Sequence, residues 1–227
     1  AIADGDEVYI SGIMEHIEKA GIHSGDSACV IPPQSLNKSI IEEIINQTKK
    51  LSNELKVVGF INIQFAIQKN NILIIEVNPR GSRTIPFVAK STGIPLVKIA
   101  TKIMLGKKLK DFKLPSYFSE FNHVSVKEAV FPFSRFPETS AILGPEMKST
   151  GEVMGIDMNF AKAFAKSQIS SKINLPKSGC IFISVKDDEK SKIVEICKIF
   201  IKLNFKIFTT IGTFNFLKNK NLKTSLV

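Results

Sequence analysis

Gln64, Glu76, Asn78, Arg80 and Arg83 are the residues of this chain best suited to chemistry. They fall within residues 59–83, GFINIQFAIQKNNILIIEVNPRGSR. One carboxylate and two amides supply oxygen donors for a hard cation such as Mg2+, which keeps water and phosphate oxygens in its remaining positions. Two guanidinium groups suit phosphate or carboxylate. Together they point to a metal–nucleotide site for phosphoryl transfer. The plainer alternative is a hairpin with a solvated polar face, which Gln64 alone would fit. Glu76, Asn78 and Arg80 fit it poorly, because they close an otherwise apolar strand and buried charge must be paired or used.

The elements that must position these residues follow from periodicity. Apolar residues occupy odd positions (Ile61, Ile63, Phe65, Ile67, then Leu73, Ile75, Val77), and Asn62, Gln64, Gln68, Glu76 and Asn78 occupy even ones. Period-2 alternation predicts two half-buried strands, and the Asn pair between them predicts a turn. An even sum of paired residue numbers keeps like faces together. A three-residue loop at 69–71 satisfies it and sets Gln64 opposite Glu76. Upstream, Ile40, Ile41, Ile44, Ile45, Thr48, Leu51 and Leu55 predict an amphipathic helix over 35–56 with Ser35 as its cap. Residues 8–10 read as a strand and residues 12–20 as a helical turn or loop. The run Gly21, Ile22, His23, Ser24, Gly25, Asp26, Ser27 is either a plain turn or a loop presenting N–H groups to an anion. His16 and His23 have no zinc-site spacing and read as structural histidines.

Downstream, residues 84–90 turn helical, and Pro95 opens a helix with Leu96, Ile99, Ala100, Ile103 and Met104 inward, closed by Gly106. Residues 107–122 read as a loop, 124–131 as a strand, LGPEMKSTGEVMGID as a Gly-rich connection, and 159–170 as a helix with Phe160 and Phe164 inward. The Ser, Lys, Asn, Pro and Gly content of 170–179 predicts a domain boundary. Beyond it, strand 180–185, helix 191–203 and strand 206–209 predict a parallel α/β unit. Its ligands belong beyond the strand ends, near Thr209, Thr210 and Thr213.

Composition bounds the function. With 227 residues, 44% hydrophobic and 23% charged, this is an ordinary globular chain of one to two domains. The net charge of +10 permits polyanion binding. The lysines are scattered without aromatic interleaving, so a basic nucleic-acid-binding module is the disfavoured reading from another class. Cys29, Cys180 and Cys197 stand far apart and read as reduced core residues in a reducing compartment. No apolar run approaches membrane-spanning length, so a cytoplasmic protein without membrane association is expected. The chain begins without Met inside an apparent strand and stops at Val227 without a terminal signal, which reads as part of a longer protein.

MEHIEKAGIHSGDSA, NIQFAI, IIEVNPRGSRTIPFVAKSTGIPLVKIA and LGPEMKSTGEVMG, in this order, resemble the large subunit of carbamoyl-phosphate synthase. The resemblance implies a mixed α/β chain. Residues 1–170 are the C-terminal part of an ATP-grasp, carbamoyl-phosphate-forming domain. Residues 171–227 are the start of a Rossmann-like, methylglyoxal-synthase-like allosteric domain. It implies that carbamate attacks the γ-phosphate of ATP, with the rest of the large subunit making carboxyphosphate from bicarbonate and a small glutaminase subunit supplying ammonia. The product serves arginine and pyrimidine biosynthesis. By the family's pattern Gln64 and Glu76 bind nucleotide and Mg2+ or Mn2+, two ions being expected, and Asn78 completes the metal shell. Gly21, Ile22, His23 and Ser24 match the nucleotide-binding loop, and Arg80 and Arg83 match arginines at the transferring phosphoryl group. His16 and Ser27 fall near a K+ site, and Lys190, Thr210 and Thr213 near effector contacts. The alternatives are the bicarbonate-phosphorylating half and another ATP-grasp ligase such as a biotin carboxylase. The lid and lysines that hold ATP phosphates in the family lie upstream of this sequence, so the isolated chain is expected not to turn over.

Overall fold

A computed structural model describes residues 1–69, 71–116 and 122–227. Asn70 of the expected loop and part of the 107–122 loop lie outside the described residues. The chain divides into two compact units, Ala1–Ile173 and Asn174–Val227.

The first unit is built from antiparallel pieces. Strands β1 (Ile2–Asp4), β2 (Val8–Tyr9) and β5 (Val58–Phe60) form one sheet in the order β2-β1-β5. Strands β3 (Glu15–His16), β4 (Cys29–Ile31), β8 (Val124–Val130) and β9 (Gly151–Asp157) form a second in the order β3-β4-β8-β9. Strands β6 (Asn62–Gln68) and β7 (Asn71–Asn78) form a two-stranded hairpin. Two corrections follow. Residues 12–20 contain a strand, because Glu15 and His16 pair with Val30 and Cys29. The Gly-rich connection contains β9, whose seven residues pair along the whole of β8. Gly155 in it is structural: a Cβ there would meet the Ala163 carbonyl at 2.1 Å and the Ser167 nitrogen at 2.4 Å. Helix α4 (Phe160–Ser170) therefore lies almost on the backbone of β9.

Helix α1 (Lys38–Glu54) is capped by Asn37, whose Oδ1 accepts from the Ile40 N–H at 2.9 Å. Ser35 is not the cap, because Glu15 takes both its N–H and its hydroxyl. Helices α2 (Ile85–Thr92) and α3 (Leu96–Met104) pack against β1 and β4 through Ile2, Ile31, Phe87, Leu96, Ile99 and Ile103. α2 ends at Gly93 in the left-handed conformation, φ +71°, which a residue with a Cβ adopts at a cost.

The second unit is a three-stranded parallel sheet, β10 (Gly179–Ile183), β11 (Phe205–Thr209) and β12 (Ser225–Leu226), in that order. Helix α5 (Ile193–Lys202) connects the first pair and α6 (Ile211–Lys218) the second. Ile193, Cys197, Ile207 and Leu217 form its core. α6 and β12 extend the strand–helix–strand pattern expected from the sequence.

Candidate functional site

The hairpin reaches the expected pairing by an unexpected route. Gln64 stands opposite Glu76 and Asn62 opposite Asn78. At the turn, however, Gln68 pairs with Asn71, one residue out of the register that a three-residue loop would give. A bulge between Gln64 and Phe65 restores the even sum. The slip is tolerated because residues 72–75 are Ile-Leu-Ile-Ile, so either register offers an apolar residue to Phe65 and Ile67. Asn62, Gln64, Glu76 and Asn78 thus share one face. All four line a cavity of about 880 Å3, together with Arg80, Arg83, His16, His23 and Ser24.

The second wall is the 21–27 loop, fixed from below and from the side. Lys127, on β8 and fully buried, donates to the Ser24 carbonyl at 3.2 Å and lies 3.8 Å from Glu152 on β9. A buried ammonium is tolerable only with such partners. Asp26, 1% exposed, accepts from the Lys148 N–H at 2.8 Å and the Ser149 N–H at 2.9 Å. Burial raises its pKa, but the Ser149 hydroxyl and those two N–H groups outweigh burial and hold it below the ordinary value. His23 accepts from the Gly25 N–H through Nδ1, and its backbone N–H donates to the Gly144 carbonyl at 2.8 Å.

The two arginines differ. Arg83 donates to the Gly25 carbonyl at 3.3 Å and to Ser149 Oγ at 2.8 Å, and its Nε faces Glu152 at 3.4 Å. Its guanidinium is a fixed positive group between loop and strand. Among the described residues Arg80 donates to the Gly81 carbonyl alone, at 3.0 Å, and keeps donors free. Gly21, Ile22 and Ser27 do not line the cavity. Gly21 has φ +108°, so the loop turns there. Ser27 is 1% exposed, its hydroxyl 3.4 Å from the His23 carbonyl. His16 faces the cavity, and burial followed by the charge of Lys127 lowers its pKa to about 4, so its ring is neutral.

In the second unit Lys190, Ser184, Thr210 and Thr213 meet at the start of α6. Thr210 Oγ1 lies 3.2 Å from Ser184 Oγ and 3.5 Å from Thr213 Oγ1. Lys190 pairs with Asp187, and its Nζ lies 3.1 Å from where a Cβ on Gly212 would sit. Thr209 is fully buried, its hydroxyl without a partner.

Sequence reading missed Lys127, Glu152 and Ser149 as parts of this wall. A signal existed for Lys127 and Glu152, since a lysine amid an apolar strand demands a buried partner. None pointed to Ser149, whose role depends on β8–β9 pairing. Among the described residues no group of three or more His, Cys, Asp and Glu side chains could hold a metal, and no helix is long and apolar enough to cross a membrane.

The family profile described as "Carbamoyl-phosphate synthase L chain, ATP binding domain" matches residues 2–112. The chain is 51% identical to "Carbamoyl phosphate synthase large chain, C-terminal section" of Aquifex aeolicus, covering 100% of this chain and 45% of that one. It is 51% identical to "Carbamoyl phosphate synthase large chain" of Methanospirillum hungatei, covering 100% of this chain and 21% of that one. It thus spans less than half the length of these relatives. In fold it is similar to the "Biotin Carboxylase domain of single-chain bacterial carboxylase", with TM-score 0.50, 16% identity, and 58% of this chain and 32% of that chain covered. It is also similar to the K. lactis urea amidolyase, with TM-score 0.55, 13% identity, and 73% and 11% covered. With the biotin carboxylase domain the chain shares a mixed α/β, ATP-grasp-like architecture. With half its residues identical to these relatives along its whole length, the chain belongs to the carbamoyl phosphate synthase large-chain family, in the region of the C-terminal section.

Proposed function

We propose that the first unit carries the metal- and phosphate-facing part of an active site that phosphorylates carbamate with ATP to give carbamoyl phosphate and ADP. The observation that carries the reading is the hairpin register, which puts Gln64 and Glu76 face to face, with Asn78 two residues on, in the cavity that also holds Arg80 and Arg83. The donors fit a hard cation. The side chains of Gln64, Glu76 and Asn78 make no hydrogen bond or ion pair among the described residues. A single carboxylate leaves the rest of the shell to water and phosphate oxygens. When bound, Mg2+ or Mn2+ supplies charge neutralisation for the transferring group. Arg80 then binds phosphoryl oxygens with its free donors, and Arg83 contributes a fixed field. Of the 21–24 loop, His23 and Ser24 line the cavity and are offered to the nucleotide.

The fit to K+ is poorer. Only His16 of the pair faces the cavity, beside the charge of Lys127, and no step is assigned to that ion. In the second unit, Lys190, Thr210 and Thr213 at a helix N-terminus suit an anionic effector, and residues 174–227 are read as the opening of the methylglyoxal-synthase-like domain. The remaining partners are the rest of the large chain, a glutaminase subunit, and bicarbonate and ammonia as substrates. Three free cysteines suit a reducing cytoplasm.

The test is a large chain of Methanospirillum hungatei in which this sequence replaces the matching region. It should form ATP from carbamoyl phosphate and MgADP. Glu76→Gln should reduce that rate by roughly 100-fold, as loss of a metal-shell group does. No ATP from carbamoyl phosphate, with Glu76→Gln instead removing bicarbonate-dependent ATP hydrolysis, would transfer the chain to the bicarbonate-phosphorylating or carboxylase class.

A further inference from the structure

Asp26 is a buried carboxylate that the phosphoryl-transfer reading does not use. It is 1% exposed, yet among the described residues no Lys or Arg pairs with it; its two oxygens instead accept the backbone N–H groups of Lys148 and Ser149 at 2.8 and 2.9 Å. Those two residues lead into β9 and lie more than 120 positions away in sequence. The next residue before Asp26 is Gly25, and its carbonyl is a junction. Arg83 Nη2 donates to it at 3.3 Å, Ser149 Oγ at 3.1 Å and Lys127 Nζ at 3.5 Å. Ser149 Oγ also accepts from Arg83 Nη2 at 2.8 Å. Loop, β9 lead-in and Arg83 therefore close a ring of hydrogen bonds in which Asp26 fixes Ser149, and Ser149 fixes Arg83. Lys148 extends the clamp by donating from Nζ to the Ser140 and Ile142 carbonyls at 2.9 and 2.8 Å. A carboxylate is the side chain that receives two N–H donors without offering one back, and buried donors left without an acceptor are costly.

We propose that Asp26 is a positioning residue that locks the 21–24 loop and the Arg83 guanidinium into one rigid wall, so that nucleotide and transferring phosphate are met by preset donors. Its catalytic consequence rests on the phosphoryl-transfer reading; the clamp itself does not. Preset donors matter because hydrogen bonds that need no reorganisation contribute most at the transition state. Asp26→Asn keeps the shape but gives one oxygen and an N–H group, so it must face a donor with a donor.

The experiment compares Asp26→Asn with Ile103→Val, a mild core variant remote from the cavity, in two measurements. In the 227-residue chain, amide hydrogen exchange of residues 21–27 and 147–149 should speed up by tenfold or more in Asp26→Asn, with α1 and α3 unchanged. In the large chain carrying this sequence, Asp26→Asn should raise the KM for MgADP and lower kcat, each severalfold, while Ile103→Val leaves the KM alone. Exchange that stays slow in the loop, or speeds up evenly across residues 1–173, overturns the clamp. A loosened loop with an unchanged KM overturns the positioning role. If the parent large chain forms no ATP, the phosphoryl-transfer reading falls and takes the catalytic consequence with it, while the exchange pattern still decides the clamp.

Discussion

At the residue scale, the chain spends buried carboxylates on backbone donors. Asp4 accepts from the N–H groups of Asp6, Glu7 and Leu109 at 3.0, 2.8 and 2.7 Å, joining β1 to the segment after α3. Burial raises its pKa, but these three N–H groups and Lys108 outweigh burial and leave it below the ordinary value of about 3.9. A carboxylate with a depressed folded pKa contributes its stabilisation above the unfolded pKa and loses it as pH falls through the folded one. Asp4→Asn should therefore cost about 1–3 kcal/mol at pH 7 by urea unfolding, and the gap to the parent should narrow below about pH 4. A gap that stays constant with pH would mean that the charge of Asp4 is irrelevant. Elsewhere burial pushes the Cys29 thiol up to about 12, so this cysteine is a packing residue.

At the element scale, the site depends on two features that local propensity does not contain. One is the bulge at Gln64/Phe65, which moves a hairpin with an odd-sum turn into the even sum needed by its polar end. The other is the seating of α4 on β9. Gly155 has no room for a Cβ, and the obstructing atoms belong to the α4 backbone, so they cannot swing aside. Gly155→Ala should destabilise the first unit by about 3 kcal/mol or more, beyond ordinary overpacking. Its thermal unfolding should shift accordingly, and exchange should accelerate first in α4 and β9. An unchanged melting temperature would show that α4 can lift off without loss. Because β9 also carries Glu152, and its lead-in carries Ser149, a shifted β9 should release Arg83 as well.

At the scale of the whole molecule, the first unit presents a half-open wall. β7 is exposed over much of its length, and the 880 Å3 cavity draws polar lining from the hairpin with its arginines, from residues 15–19 and from His23 and Ser24. Water is not excluded from such a wall, and phosphoryl transfer needs enclosed, fixed charges. The isolated chain should give no ATP from carbamoyl phosphate and MgADP above the protein-free rate, while unfolding cooperatively in urea; steady turnover would contradict this. Much of this was legible beforehand. Alternation fixed the two hairpin strands and their polar face, helical spacing fixed α1, α3 and α5, and the ordered segments fixed the family. These are local properties, set by the 2.0 and 3.6 periods and by short-range identity. The true cap Asn37, the strand at Glu15–His16, the strand hidden in the Gly-rich stretch, the bulge, and the Lys127–Glu152–Arg83–Asp26 network were decided by tertiary structure alone. Each depends on a partner distant in sequence: Glu15 draws Ser35 away from the cap, β4 recruits β3, and β8 recruits β9. Burial then obliges the polar groups enclosed between them to find one another.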